Sequence, residues 1–165
     1  MESLDDDWEL ARENAHPNAR RLLKADFYWD VTDDDSPFGN DTGWDTLEFY
    51  RAWIRESDDD EDFLHQLFDE WEVDWEAAAA MPDDELADRL EEVEFDVLTY
   101  DDVVIAVAFA QLVLEGEPSR DMAALASRAL EREALPAVIA FRGWTDPGER
   151  SARCAQMLQV MQSAA

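Results

Sequence analysis

The side chains that could perform acid–base, nucleophilic or metal chemistry are two histidines, one cysteine and 42 carboxylates. His16, His65 and Cys154 stand apart from one another, and their spacing matches no standard zinc site. No glycine-rich phosphate loop, nucleophile elbow or metalloprotease helix motif occurs. We interpret His65 as a residue at the edge of the core and Cys154 as a small buried side chain. The sequence therefore predicts no catalytic residue, no metal ligand and no cofactor.

The carboxylates are too numerous for any acid–base pair to be singled out. One glycine-containing loop is especially rich in oxygen ligands: Asp33, Asp34, Asp35, Asn40, Asp41 and Asp45. A calcium loop needs alternating ligands, with a glycine at its sixth position and a glutamate at its twelfth, and this loop does not supply them. Solvation of the loop and capping of the next helix explain the same residues. A divalent-cation-binding protein or a carboxylate-dependent enzyme stays an alternative.

The charge is distributed very unevenly along the chain. Residues 1–102 hold 35 of the 42 acids and 7 of the 13 bases, a net of −28, whereas residues 103–165 hold the other 7 acids and 6 arginines, a net of −1. Direct binding to nucleic acid or to an anionic membrane is disfavoured, because no basic patch is available to neutralise phosphates. Two interpretations compete: an acidic face that binds a basic protein, and adaptation of the whole surface to salt.

The binding interpretation assigns partner contacts to the acidic runs of the first hundred residues. The candidates are Asp58, Asp59, Asp60, Glu61, Asp62, Asp69, Glu70, Glu72, Asp74, Glu76, Asp84, Asp88, Glu91 and Glu92. Carboxylates on successive helical turns, about 5.4 Å apart, could imitate the phosphates of a nucleic acid. Trp8, Trp71 or Trp75 would serve as anchors, although aromatic residues at helical spacing also fit a core. The sequence does not show whether these acids form one face.

The elements that must position these side chains are helices. We predict an all-α fold with little or no sheet, a single acidic domain over residues 1–165 in which six or seven helices surround a central apolar helix at about 103–115. That helix is apolar on all sides, Asp101 or Asp102 would cap it, and Gly116 would end it. Pro82, at the first helical position, would start the helix before it.

Periodicity and capping residues place the remaining elements. One apolar face, from Phe63 to Trp75, follows a helix over about 60–71, and the helix before that would be capped by Asp41 or Thr42. A short helix over 4–13 would have Ser3 as its cap, and Pro17 would lie in the first turn of the next helix. Residues 27–31 are expected to be extended. Later helices are capped by Ser119 and Asp146, while residues 135–144 stay ambiguous.

The N-terminus and the cysteine content bear on the compartment. Met1 to Asp7 is acidic, unlike a signal or transit peptide, and one cysteine allows no internal disulfide. The longest apolar run, Val103–Leu114, is shorter than a membrane span. We therefore expect a cytoplasmic protein that does not enter a membrane. The oligomeric state stays open.

The strongest local pattern is a tight turn followed by a capped helix, within residues 36–47. Its defining residues are Pro37, Phe38, Gly39, Asn40, Asp41, Gly43 and Asp45. The glycines permit close backbone approach, and Asn40 and Asp41 can turn the chain and cap a helix. With the aromatic residues on either side, this pattern resembles the signature of a family of uncharacterised bacterial proteins similar to YfeS and to the molybdate-metabolism-regulator-like region. The likeness extends over residues 20–132 and carries over no catalytic residue.

By elimination and by charge asymmetry, we predict a non-enzymatic acidic module that binds a basic protein. An inhibitor, an immunity-like protein or a nucleic-acid mimic would be its concrete form. The first alternative is a salt-adapted housekeeping domain with no special partner. The second is the cation-binding protein or carboxylate enzyme described above.

Overall fold

The longest element of the fold is a 33-residue helix, Asp83–Glu115, which packs against helices from both sides of it in the sequence. The computed structural model describes residues 8–57 and 59–164, and this part of the chain contains eight α-helices and no strand. The predicted all-α class is confirmed, with eight helices where six or seven were expected. The helices are α1 (Pro17–Leu22), α2 (Asp41–Trp53), α3 (Asp60–Glu70), α4 (Trp75–Ala80), α5 (Asp83–Glu115), α6 (Arg120–Glu133), α7 (Pro136–Arg142) and α8 (Pro147–Ala164).

Helix α5 joins two elements that were predicted to be separate. Asp101 and Asp102 were expected to cap a new helix, but both lie inside α5, so that prediction is wrong. No glycine or proline interrupts the chain between Asp83 and Glu115, and hence nothing stops the helix at these aspartates. Pro82 is the N-cap residue rather than the first helical residue. Gly116 ends the helix with a left-handed φ of 97°, as its sequence position predicted.

The C-terminal half of α5 forms the centre of the core. Every residue from 103 to 113 is buried, and α2, α4 and α6 pack against this helix. Phe109 stacks on Tyr28 with ring centroids 5.8 Å apart, which ties the N-terminal region to the core. The predicted central apolar helix is therefore confirmed, although it is half of a longer one.

Helix α5 is also the only described helix that is long and apolar enough to cross a membrane by length and composition. The reason given above for excluding a span, a run of only twelve apolar residues, does not hold for the continuous helix. However, 78% of its most apolar window is buried inside the protein. A core helix passes the same test of length and composition, so the test is weak evidence for a span.

The N-terminal region departs from the sequence predictions. Residues 27–31 were expected to be extended, but Asp26–Trp29 is a 3₁₀ helix. Burial of Phe27 and Tyr28 and a hydrogen bond from Trp29 Nε1 to the Leu23 carbonyl (2.9 Å) hold this turn. Of the helix predicted over 4–13, the described residues contain only the start of the 3₁₀ turn Arg12–Asn14. Ser3 and residues 4–7, like Asp58, lie outside the described residues.

The aromatic face predicted for one helix is divided between two. Helix α3 ends at Glu70, and Glu72 adopts a left-handed φ of 57° before Trp75 begins α4. The Val73 amide donates to the Phe68 carbonyl (2.8 Å), which closes the turn. Trp75 therefore faces α3 from a separate helix.

The caps show which residue types were interpreted correctly. Ser119 and Asp146 accept hydrogen bonds from the first turns of α6 and α8, as predicted. Helix α2 is capped by Asn40, whose Oδ1 accepts from the Gly43 amide (2.7 Å), and not by Asp41 or Thr42. The ambiguous residues 135–144 contain α7.

Candidate functional site

The predicted partner-binding acids are exposed, with one exception. Asp59, Asp62, Asp69, Glu70, Glu72, Asp74, Glu76, Asp84, Asp88, Glu91, Glu92 and Glu61 are exposed, and Asp60 is half-buried. Within the described chain, the only ion pair of this set joins Glu92 to Arg89 at 3.2 Å. The set thus offers many exposed carboxylates, and among the described residues Glu92 is the one member that pairs with a cation.

The structure does not bring all these acids to one place. Asp60 and Glu61 line a groove between α3, α4, α5 and α6. Asp88, Glu91 and Glu92 line a different depression, between α5 and α7. Glu70 lines a third depression, beside Glu56 and the rings of Phe49, Trp53 and Phe63. The question left open by the sequence therefore has a divided answer. Of these locations, the first combines three carboxylates with the rings of Phe68, Trp75 and Tyr100.

This acidic–aromatic groove has a volume of about 390 Å³. Its buried floor consists of Leu64, Phe68, Tyr100 and Met122, its walls include the half-buried His65, Trp75 and Leu125, and its carboxylates are Asp60, Glu61 and Asp121. The His65 and Trp75 rings stack with centroids 4.6 Å apart and planes inclined by 21°. Asp60, Glu61 and Trp75 were predicted from the sequence as partner contacts. Asp121 and Tyr100 were not, because their place in the groove depends on how α5 and α6 pack.

Asp60 is held in the groove by two donors. The Ser119 hydroxyl (2.6 Å) and Gln111 Nε2 (3.0 Å) both donate to its Oδ2 atom. Gln111 Nε2 also lies 3.2 Å from the Tyr50 hydroxyl, which donates to Glu115 Oε1 at 2.6 Å. Burial, followed by the hydrogen bond to Glu115, raises the pKa of Tyr50, so the phenol stays a donor. The network orients Asp60, and no donor from the described residues reaches its Oδ1 atom.

A second concentration of charge lies in the interior, between α5, α6, α7 and α8. Arg132 is 1% exposed and makes three contacts of 2.7–3.2 Å with Asp101, which is fully buried. Arg132 Nη1 also donates to the Ala78 carbonyl (2.9 Å), which connects this pair to α4. The sequence did not predict this pair, since its members are 31 residues apart and lie on different helices.

Glu133 extends the buried cluster toward α7 and α8. Its Oε1 atom lies 2.6 Å from Arg142 Nε and 3.8 Å from Arg150 Nη2. Arg142 also pairs with Asp102 at 3.2 Å, and Arg150 pairs with Asp35 at 3.1 Å. These contacts bind the loop before α2 to the C-terminal helices.

Burial determines how the acids of this cluster ionise. Burial first, and then the charge of Glu133, raises the pKa of Asp101 well above its usual range against the opposing effect of Arg132. Burial raises the pKa of Asp102 to about 6, although Arg142 acts in the opposite direction. The cluster is thus a structural network with acids that bind protons more tightly than exposed carboxyls.

The glycine-containing motif is explained by close backbone contacts. A Cβ atom on Gly39 would lie 1.8 Å from the Asp33 carbonyl oxygen, and one on Gly43 would lie 2.2 Å from the Pro37 carbonyl oxygen. Phe38 is buried in the core. Asp41 and Asp45 are exposed. Over the described ranges, no group of three or more His, Cys, Asp or Glu side chains is arranged to hold a metal ion.

The isolated histidines and the cysteine have structural contacts. His16 Nδ1 accepts from the Asn18 amide (3.1 Å) and caps α1. Cys154 is buried as predicted, and burial raises the pKa of its thiol to about 11. Neither side chain lines the groove, whereas His65 does.

The chain is similar to YfeS. The "Uncharacterized protein YfeS" of Escherichia coli (strain K12) is 27% identical over 143 residues, which cover 82% of this chain and 57% of YfeS. The chain thus matches little more than half the length of that relative. No family model matches the sequence, and no solved structure matches it. The similarity supports the YfeS-like resemblance and assigns no activity.

Proposed function

We propose that this protein is a non-enzymatic acidic module that binds a basic protein. The observation that carries the proposal is the acidic–aromatic groove. This groove has a volume of about 390 Å³, and three carboxylates, Asp60, Glu61 and Asp121, lie beside its apolar floor. None of the described residues that line the groove is lysine or arginine. An apolar surface beside unpaired carboxylates fits a partner that has both apolar and cationic side chains.

The charge of the chain supports the same proposal. The exposed acids on α3, on α4 and on the first half of α5 extend the negative potential beyond the groove. Such a field accelerates encounter with a basic partner and weakens as salt rises. The same field disfavours contact with nucleic acid and with anionic membranes. The form that we propose is a cytoplasmic inhibitor, an immunity-like protein or a nucleic-acid mimic. The relation to the molybdate-metabolism-regulator-like region remains part of this proposal.

Salt adaptation is the second candidate, and one observation favours it. The acids on α5 that face α7 lie away from the groove, so the negative charge is not restricted to one location. A salt-adapted domain would need many exposed carboxylates and no particular partner.

Capture from lysate of the source cell, followed by titration with the purified partner, separates the two candidates. The groove variant combines Glu61→Gln with Asp121→Asn. The control combines Glu13→Gln with Glu131→Gln, which removes the same charge at acids that neither line the groove nor belong to the predicted partner-binding set. All four acids are exposed, so we expect both variants to keep the fold.

The proposal expects a basic protein that binds at a 1:1 ratio in calorimetry, more weakly to the groove variant than to the control. Equal, salt-labile and non-stoichiometric binding to all three proteins would refute it in favour of salt adaptation.

A further inference from the structure

We propose that the acidic–aromatic groove binds an arginine side chain, presented by the partner beside an apolar residue. This inference rests on the proposed function and names the chemistry of the contact. It starts from an imbalance of charge. Among the described residues, Asp60, Glu61 and Asp121 form no ion pair, although Arg128, on the same helix as Asp121, pairs with Asp83 at 2.7 Å.

The position of Asp60 supports a directional contact. It is half-buried, and its Oδ2 atom is occupied by the Ser119 hydroxyl and the Gln111 amide. The remaining oxygen, Oδ1, is therefore presented by a carboxylate whose orientation is already set. A pre-oriented acceptor loses little conformational entropy when a donor binds.

The aromatic wall favours a planar cation. His65 stacks on Trp75, and Tyr100 stacks on Phe68 with ring centroids 5.4 Å apart. A guanidinium group can lie against aromatic rings while its separate N–H groups reach two carboxylates, and it is more weakly hydrated than an ammonium.

The fold already contains this combination elsewhere. The guanidinium carbon of Arg150 lies 4.3 Å from the centre of the Trp144 ring, while its Nη1 atom donates to Asp35 at 3.1 Å. The groove offers aromatic rings and a carboxylate of the same kinds, but none of the described residues that line it is lysine or arginine.

The size and polarity of the groove define the rest of the ligand. Its volume of about 390 Å³ exceeds that of one side chain and lies in the range of small-molecule sites. Leu64, Met122 and Leu125 provide an apolar surface that an arginine alone would leave uncovered. We therefore assign the arginine together with a neighbouring apolar side chain of the same segment.

The test uses the full chain and small probes, so that it does not depend on finding the partner. Nα-acetyl-arginine amide is titrated into ¹⁵N-labelled protein, and the indole N–H signal of Trp75, assigned with Trp75→Phe, is followed by NMR. Nα-acetyl-citrulline amide has the same shape without the charge, and Nα-acetyl-lysine amide has the charge without the planar group. The expected result is millimolar binding of the arginine probe, several-fold weaker binding of the lysine probe, and no saturable shift with citrulline.

The variants used above serve here as well. Removing two exposed charges, in Glu61→Gln with Asp121→Asn, should weaken arginine binding about fivefold, at roughly 0.5 kcal/mol for each exposed contact. Glu13→Gln with Glu131→Gln should leave it unchanged. Equal binding of citrulline or lysine, or shifts outside the groove, would overturn the inference. If a basic partner still bound at a 1:1 ratio after such a result, the inference about arginine would fail and the proposed function would stand. If neither the arginine probe nor a basic partner bound, both proposals would be refuted.

Discussion

Replacing Arg132 by methionine tests whether the buried ion pair is a major source of stability. Methionine keeps much of the side-chain volume but removes the three contacts with Asp101 and the hydrogen bond to the Ala78 carbonyl. Asp101 is fully buried, so water cannot replace the guanidinium. The variant therefore leaves a carboxyl group and a carbonyl group without their donor.

The expected loss in the free energy of unfolding of Arg132→Met can be obtained in two ways that agree. Removing one partner of a buried ion pair typically costs about 3–5 kcal/mol. The stranded Asp101 can instead bind a proton, and holding a carboxyl of ordinary pKa 3.8 neutral at pH 7 costs about 4.4 kcal/mol, at 1.36 kcal/mol per unit. Burial already raises the pKa of Asp101 in the native protein, so its carboxyl is easier to protonate than an ordinary one. The value of about 4.4 kcal/mol is therefore an upper limit for the cost of neutralising Asp101. The unpaired Ala78 carbonyl adds about 1–3 kcal/mol if water does not reach it. We expect a loss of about 3–5 kcal/mol.

Urea unfolding at pH 7, followed by circular dichroism, measures this loss. Arg89→Met, which breaks the exposed pair with Glu92, is the matched control and should change the free energy of unfolding by less than about 0.5 kcal/mol. Combining Arg132→Met with Asp101→Leu removes both charges. The double variant should lose less free energy of unfolding than the sum of the losses of the two single variants. A loss below about 1 kcal/mol for Arg132→Met, or strictly additive losses, would refute the reasoning.

Three further predictions follow from the pKa shifts and the caps. Because burial raises the pKa of Asp102 from 3.8 to about 6, its proton favours folding at low pH, and that contribution is lost as pH rises through 6. From this group, the free energy of unfolding should be about 1 kcal/mol higher at pH 5 than at pH 7. In urea titrations, Asp102→Asn should remove that part of the difference. Cys154, whose thiol pKa is raised to about 11, should react with a disulfide reagent only after unfolding, and rapid reaction of the native protein would contradict its burial. Asn40→Ala should lower the free energy of unfolding by about 1 kcal/mol, whereas Asn40→Asp, which keeps an acceptor for the Gly43 amide, should cost much less; equal losses would show that the cap is not responsible.

Helical periodicity was sufficient for the fold class, because α3, α6 and the second half of α5 each bury a face or a whole surface. It failed at Asp101 and Asp102, since aspartate before an apolar run is also typical of an N-cap. An aspartate inside a buried helix differs from an N-cap aspartate by having a cationic partner. For Asp101 that partner is Arg132, which lies on another helix. No local pattern contains that information.

The groove shows the same division between local and tertiary information. Asp60, Glu61 and Trp75 were selected from the acidic runs and from the aromatic spacing. Asp121 and Tyr100 join them only because α6 and the middle of α5 pack beside α3. The acids that face α7 had the same local appearance as Glu61, so sequence could not separate the two locations.

The structure also explains why the near-neutral second part of the chain does not provide a basic surface. Of its six arginines, five form ion pairs with acids in the described chain. Three of these, Arg132, Arg142 and Arg150, belong to the buried cluster around Asp101 and Glu133. Their charge is used to hold α5, α6, α7 and the loop before α2 together. Most described acids of the first part, among them the three carboxylates of the groove, form no ion pair with a described residue, and at the groove this excess lies beside aromatic rings. A partner that supplies the missing cation would therefore gain most at that location.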